Sequence, residues 1–147
     1  MRVCKVKEKG MKNFLFLVLI AIWTNLYAIS PIFIKTMGYE STYENALEKA
    51  KKDNKNIMMV VVQKACPWCR KMEKQTLKKD EIDSLIKSSF IPLLVDEASN
   101  DYPKKFKAKL YPTIMFIDSK SEKLINKVLG YKNKKKFKKI LEEIVKK

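Results

Sequence analysis

Two cysteines separated by two residues, Cys66-Pro67-Trp68-Cys69, follow the apolar run Ile57-Met58-Met59-Val60-Val61-Val62 and precede residues 70–77. The run is short and rich in β-branched side chains, which disfavours a helix, so it reads as a buried strand. Residues 70–77 read as helix. A Cys-x-x-Cys at a strand-to-helix corner puts both sulfurs on one face of the first helical turn, close enough to close a small disulfide ring. The first sulfur can lie open at the helix N-terminus, where unpaired N–H groups and the helix dipole favour a thiolate. The second lies one turn deeper. Such an arrangement is a dithiol/disulfide switch, and it predicts thiol–disulfide exchange chemistry.

Composition excludes several other chemistries. The chain of 147 residues has no histidine, which removes a His general base, haem attachment through Cys-x-x-Cys-His and mixed Cys/His zinc sites. Three cysteines, Cys4 among them, cannot build a disulfide framework, but they can supply one redox pair and a spare. Thirty-two Lys and Arg against 16 Asp and Glu leave a net charge of +16. The excess is spread lysine without clustered arginines and stacking aromatics, so a solvated basic face is the simpler account and no nucleic-acid partner is expected.

The N-terminus reads as a targeting segment. Residues 1–10 are basic. Met11-Lys12-Asn13 then opens a cleaner signal, followed by ten apolar residues from Phe14 to Trp23 and by Thr24-Asn25-Leu26-Tyr27-Ala28. A short positive region, a 7–15-residue apolar stretch and a small residue before the cut are the features of a secretory signal. A signal peptide over residues 1–28 is therefore expected, with a start at Met11 an alternative that would remove Cys4 from the product. The competing reading is an uncleaved anchor, although the apolar stretch falls short of the ~20 residues a bilayer span needs. Cleavage would leave 27 basic against 15 acidic side chains, a net charge of +12, with Cys66 and Cys69 as the only cysteines. An exported, expectedly periplasmic, protein with just two cysteines in this spacing is better explained by redox chemistry than by stapling.

Residues 29–147 form the expected domain. Ile32-Phe33-Ile34 reads as a short edge strand, and Ser41-Thr42-Tyr43-Glu44 as a capping box with Ser41 over the Glu44 N–H. A helix to about Lys52 would bury Tyr43, Ala46, Leu47 and Ala50. After the cysteine helix, Asp80 is a plausible N-cap for a helix carrying Ile82, Leu85 and Ile86 inward. Residues 90–95 make the next strand, and Pro92, which lacks an N–H, should sit at a sheet edge or an unpaired position. A short helix over residues 102–107 would be anchored by Phe106. Strands over residues 114–117 and 123–129 form a hairpin, Gly130 closes it, and Asn133 caps a terminal helix with Phe137, Ile140, Leu141 and Ile144 facing the sheet. This order gives an α/β domain with a central mixed sheet and helices on both faces.

That order, with Cys66-Pro67-Trp68-Cys69 after a hydrophobic strand and Tyr111-Pro112-Thr113 before the next buried one, resembles the thioredoxin superfamily over about residues 32–146. Within it, Arg70-Lys71-Met72-Glu73-Lys74-Gln75-Thr76 and Val128-Leu129-Gly130-Tyr131 are similar to exported thioredoxin-like domains such as the C-terminal domain of DsbD. The resemblance implies a thioredoxin fold and a protein disulfide oxidoreductase, with Cys66 attacking and Cys69 resolving. It implies that Pro112 is a cis-proline beside the disulfide, that Tyr111 offers its backbone to an extended substrate, and that Trp68 shields the sulfur and contacts clients. The other reading of Pro112 is an ordinary trans proline at a strand start. The intervening dipeptide is Pro-Trp where thioredoxins have Gly-Pro, which leaves the redox direction open, with reductase favoured by the DsbD likeness. Val60 occupies the strand position where many relatives carry a buried Asp. Glu73, four residues after Cys69, is the candidate to take the Cys69 proton through water; the alternative is a surface glutamate paired with a lysine. Lys64 and Arg70, with the helix end, are expected to hold the Cys66 pKa below the free value of about 8.5.

Expected partners are client proteins with thiols or disulfides and a membrane or soluble redox partner. A zinc knuckle would need a second ligand pair from a dimer, so no metal or cofactor is expected. A peptide-binding or chaperone-like module on the same scaffold, using the Trp68 and Tyr111 surface without turnover, is the alternative function.

Overall fold

The computed structural model describes residues 31–146. The expected leader over residues 1–28, the Met11 start and Cys4 lie outside the described residues. Strand β1 (Asn56–Val62) is the middle of the domain, with Ile57 to Val62 each no more than 2% exposed. An unbroken apolar run suits a strand packed on both faces, where alternation with polar residues would leave half of it wrongly placed.

Beside β1 lie β2 (Phe90–Asp96), parallel to it, and β3 (Thr113–Ile117), antiparallel. Strand β4 (Leu124–Leu129) pairs antiparallel with β3, giving the order β2-β1-β3-β4. Among the described residues, five α-helices flank this mixed sheet: α1 (Pro31–Met37), α2 (Tyr43–Lys52), α3 (Pro67–Met72), α4 (Asp80–Ser89) and α5 (Lys134–Val145). Met58, Val60, Ile114 and Phe116 face one way, against Met72 of α3, Ile82 and Ile86 of α4, and Phe137 and Leu141 of α5. Ile57, Met59, Met115 and Ile117 face the other, against Ala46 and Ala50 of α2 and Phe106. The α/β architecture with helices on both faces is as expected.

Local structure departs from expectation in five places. Residues 32–34 are helical, within α1, not an edge strand: Pro31 opens the helix at a position that needs no N–H, Phe33 is buried, Ile34 packs partly against the same core, and Ile32 stays 72% exposed. The outer edge of β2 is instead met by Glu40. Its N–H donates to the Pro92 carbonyl (2.8 Å), and its own carbonyl accepts from the Leu94 N–H (3.0 Å). Pro92 thus turns its N-H-less nitrogen to the sheet edge.

The cap of α2 is Thr42, not Ser41. Thr42 is the extended residue before the buried Tyr43, and its hydroxyl accepts from the Asn45 N–H. Likewise Asp80 is the first residue of α4 and Lys79 holds the cap position; three acids in that first turn face the positive helix end. The cysteine helix starts at Pro67 and widens into a π-helical turn over Glu73–Leu77, and the helix expected over 102–107 shortens to one 3-10 turn, Lys104–Phe106. Asn133 caps α5 as expected, its side chain accepting from the Lys136 N–H at 2.9 Å.

Phe137 is fully buried between α5 and the sheet. Phe137→Ala is expected to destabilise the domain by about 3–5 kcal/mol, and Lys139→Ala by less than about 0.5 kcal/mol, in urea unfolding.

Candidate active site

The chain leaves β1 at Val62 and must turn sharply to start α3. Ala65 makes that turn with φ of 56°, a left-handed conformation that a residue with a Cβ adopts only at some cost. Cys66 follows as an extended N-cap, and Pro67 occupies the first helical position, where its missing N–H is no loss. The Cys66 sulfur accepts the Cys69 N–H at 3.1 Å, and the Cys66 carbonyl accepts the Arg70 N–H at 3.2 Å. Cys66 and Cys69 are joined as a disulfide, with Cα atoms 5.3 Å apart. Cys69 is 3% exposed and packs in the core, whereas Cys66 is half-buried at its margin. A partner therefore reaches Cys66 first. When the bridge opens, the same N–H and the helix end favour negative charge there.

Trp68 stands 55% exposed on the first turn of α3. Its ring lies 5.9 Å from that of Tyr131, and the Lys71 ammonium sits 5.1 Å from the Trp68 ring and 4.9 Å from the Tyr131 ring. The Tyr131 hydroxyl donates to Gln75 at 3.1 Å. Gly130, with φ of 70°, turns the chain so that Tyr131 reaches this place. In the sequence Tyr131 and Lys71 are marked only as part of the stretches that carry the family resemblance, and nothing in their local spacing signals a cation held over two rings from different elements.

The Tyr111–Pro112 peptide bond is cis. Thr113 pairs with Val61, so this loop lies at the end of the sheet where β1 delivers the cysteines. The Pro112 carbonyl accepts the Gly130 N–H at 2.8 Å. The Tyr111 hydroxyl lies 3.0 Å from a Glu97 carboxylate oxygen and 2.7 Å from the Ala108 carbonyl, sharing one proton between them. The other Glu97 oxygen accepts from Gln63 at 3.1 Å, and the Glu97 N–H donates to the Val62 carbonyl at 2.8 Å. Glu97 thereby ties the ends of β1 and β2 to the proline loop, a role with no sequence signature. Burial first, then the Glu97 hydrogen bond and charge, push the Tyr111 phenol up to about 12, so it remains a donor at neutral pH.

Glu73 lies one turn beyond Cys69, and its N–H donates to the Cys69 carbonyl as the helix passes into its π turn. The residue is 9% exposed. Burial raises its carboxyl pKa, opposed by the nearby charges of Lys78, Arg70 and Lys74. Among the described residues Glu73 has no ion pair and no hydrogen bond to either sulfur, so the structure joins Cys66 and Cys69 directly and links Glu73 to them only through the helix backbone. No group of three or more Cys, Asp or Glu side chains among the described residues could hold a metal.

Residues 43–144 match the family model described as a thioredoxin-like domain. The chain is 40% identical over 70 residues to spermatogenesis-associated protein 20 of Mus musculus, a match covering 48% of this chain and 8% of that protein. It spans half or less of the length of the curated relatives it matches. A thioredoxin from Thermus thermophilus superposes with a TM-score of 0.62 at 20% identity, covering 72% of this chain and 85% of the other. The oxidised DsbD C-terminal domain of Neisseria meningitidis gives 0.57 at 18% identity, covering 71% and 97%. At these identities the likeness is one of fold, and it agrees with the mixed sheet and the cysteine corner described above. With the family model spanning most of the described residues, the chain belongs to the thioredoxin-like family.

Proposed function

We propose that this protein is a thiol–disulfide oxidoreductase acting on exported proteins through Cys66 and Cys69, in the reductase direction. The observation that carries the reading is the pairing of two sulfurs of unequal burial at the first turn of a helix, one reachable and one sealed in the core. In the reduced protein the Cys66 thiolate attacks a client disulfide. One Cys66–client bond forms while the client S–S bond breaks and one client thiolate leaves. Cys69, having lost its proton, then attacks the Cys66 sulfur, forming the internal bridge and releasing the second client thiolate. Two electrons pass from the protein dithiol to the client, and a dithiol-bearing redox partner, membrane-bound or soluble, returns them.

Glu73 takes the Cys69 proton through a water in this scheme, since Val60 leaves no carboxylate in the strand beneath. Trp68 and the Tyr111–Pro112 backbone receive the client segment beside Cys66, where an unpaired extended backbone can add as a strand. Export rests on the apolar segment that follows Met11.

Cys66→Ser is expected to reduce insulin disulfides no faster than the uncatalysed background, while Cys69→Ser still attacks and accumulates a mixed disulfide. Full activity in Cys66→Ser contradicts the proposal. Glu73 supplies a second test, with two readouts. Because its folded pKa is raised above the unfolded value of about 4.3, folding favours the protonated form, and stability is lost as pH rises through the folded pKa. Glu73→Gln is therefore expected to raise Tm at neutral pH, with the gain vanishing towards about pH 4. The same variant is expected to slow resolution of the mixed disulfide by about tenfold or more at neutral pH, converging on wild type at alkaline pH where Cys69 ionises unaided. Equal resolution rates at every pH remove Glu73 from the mechanism.

A further inference from the structure

The carboxylates and cations of this protein are distributed unevenly about the disulfide. Ion pairs among the described residues lie on α2, α4, α5 and the turn between β3 and β4, where Glu40, Glu81, Asp83, Glu122, Glu142 and Glu143 meet lysines. None lies at the cysteine end. There Lys64 stands two residues before Cys66, Arg70 directly after Cys69, and Lys109 two residues before Tyr111, all exposed. Lys71 is held over the Trp68 and Tyr131 rings, and Lys132 follows Tyr131, its ammonium donating to the Leu129 carbonyl. Among the described residues, none of these five cations has a carboxylate within ion-pairing distance.

Against these five cations stand three acids among the described residues: Asp96, paired with Val62 at the end of β2, Glu97 beside it, and Glu73, whose charge Arg70 feels. Glu97 has both carboxylate oxygens engaged, by Tyr111 and Gln63. Glu73 is buried and presents little of its carboxylate to an incoming segment. The rim also carries exposed apolar surface: Trp68 on α3, Leu110 in the proline loop and Leu129 at the end of β4. Leu110 sits against Gly130, which precedes Tyr131, so the apolar and cationic groups belong to one continuous border.

From this we infer that the disulfide-bearing segments this site prefers are acidic, with Asp or Glu flanking the reacting cysteine, drawn in by Lys64, Arg70, Lys71, Lys109 and Lys132. The inference rests on the redox reading above. A charged rim acts chiefly on encounter rate, by about 10- to 1,000-fold at low ionic strength, and salt screens it over a Debye length of about 10 Å at 0.1 M.

The test uses the pre-reduced full chain in single turnover with three synthetic peptides. Each holds one disulfide of the same ring size, flanked by glutamates, by lysines or by neutral residues. Each second-order rate is divided by that peptide's rate with 2-mercaptoethanol, which removes differences in intrinsic disulfide reactivity. At about 20 mM salt the acidic peptide is expected to react at least about tenfold faster than the basic one, and the ratio is expected to approach one at about 500 mM. Lys109→Glu combined with Lys132→Glu is expected to shrink the low-salt ratio of acidic to basic peptide several-fold. Equal normalised rates for acidic and basic peptides at low salt, with the neutral peptide reacting, overturn the inference and leave the redox reading standing. No reaction with any of the three overturns both.

Discussion

Strand β1 is hydrogen-bonded along both edges and packed on both faces, and the reactive corner is its direct continuation. Six consecutive apolar side chains with almost no exposure hold it in register, each burial being worth about 1.5–3 kcal/mol relative to exposure. A strand so fixed cannot slip by one residue without exchanging its two packed faces. The position of Ala65, and therefore of Cys66 at the head of α3, follows from that immobility. The left-handed turn at Ala65 is tolerated because the strand on one side and the helix on the other determine where the chain must go.

Around this corner three other segments are tied to the same end of the sheet. Glu97 joins the ends of β1 and β2 to Tyr111, the Gly130 N–H meets the Pro112 carbonyl, and Tyr131 reaches across to Trp68 and Lys71. The two sulfurs consequently differ in environment although they are three residues apart. One is open to a rim of aromatic and cationic groups; the other sits in the apolar layer under α3. A pair built this way has a natural order of events, since an external disulfide can meet only the outer sulfur.

Features decided by neighbouring residues were legible in the sequence. The β-branched run read as strand, Asn133 read as a cap, and Pro92 read as an edge residue because each carries its own backbone constraint. What depended on distant partners was not. Residues 32–34 have the composition of a strand, but the outer edge of β2 is occupied by Glu40, and only Phe33 of the three finds a buried place. The caps at Thr42 and Lys79 lie one residue from the side chains that propensity favours, because Tyr43 and the acidic first turn of α4 fix where each helix begins. The π turn after Glu73 has an ordinary helical composition and reveals itself only in its hydrogen bonds. Within the site, the cysteines and the proline loop carried a motif, whereas Glu97, Lys71 and Tyr131 come together only through the fold.

The central claim is that Cys66 and Cys69 exchange electrons as a pair on a scaffold that does not move. The most direct measurement equilibrates the purified full chain against graded ratios of reduced and oxidised glutathione, traps thiols by alkylation and locates them by peptide mass. The account predicts that Cys66 and Cys69 pass together between two free thiols and one internal bridge in a single reversible two-electron transition, with unchanged far-UV circular dichroism. A bridge that forms at no ratio, or one whose opening unfolds the sheet, would contradict it.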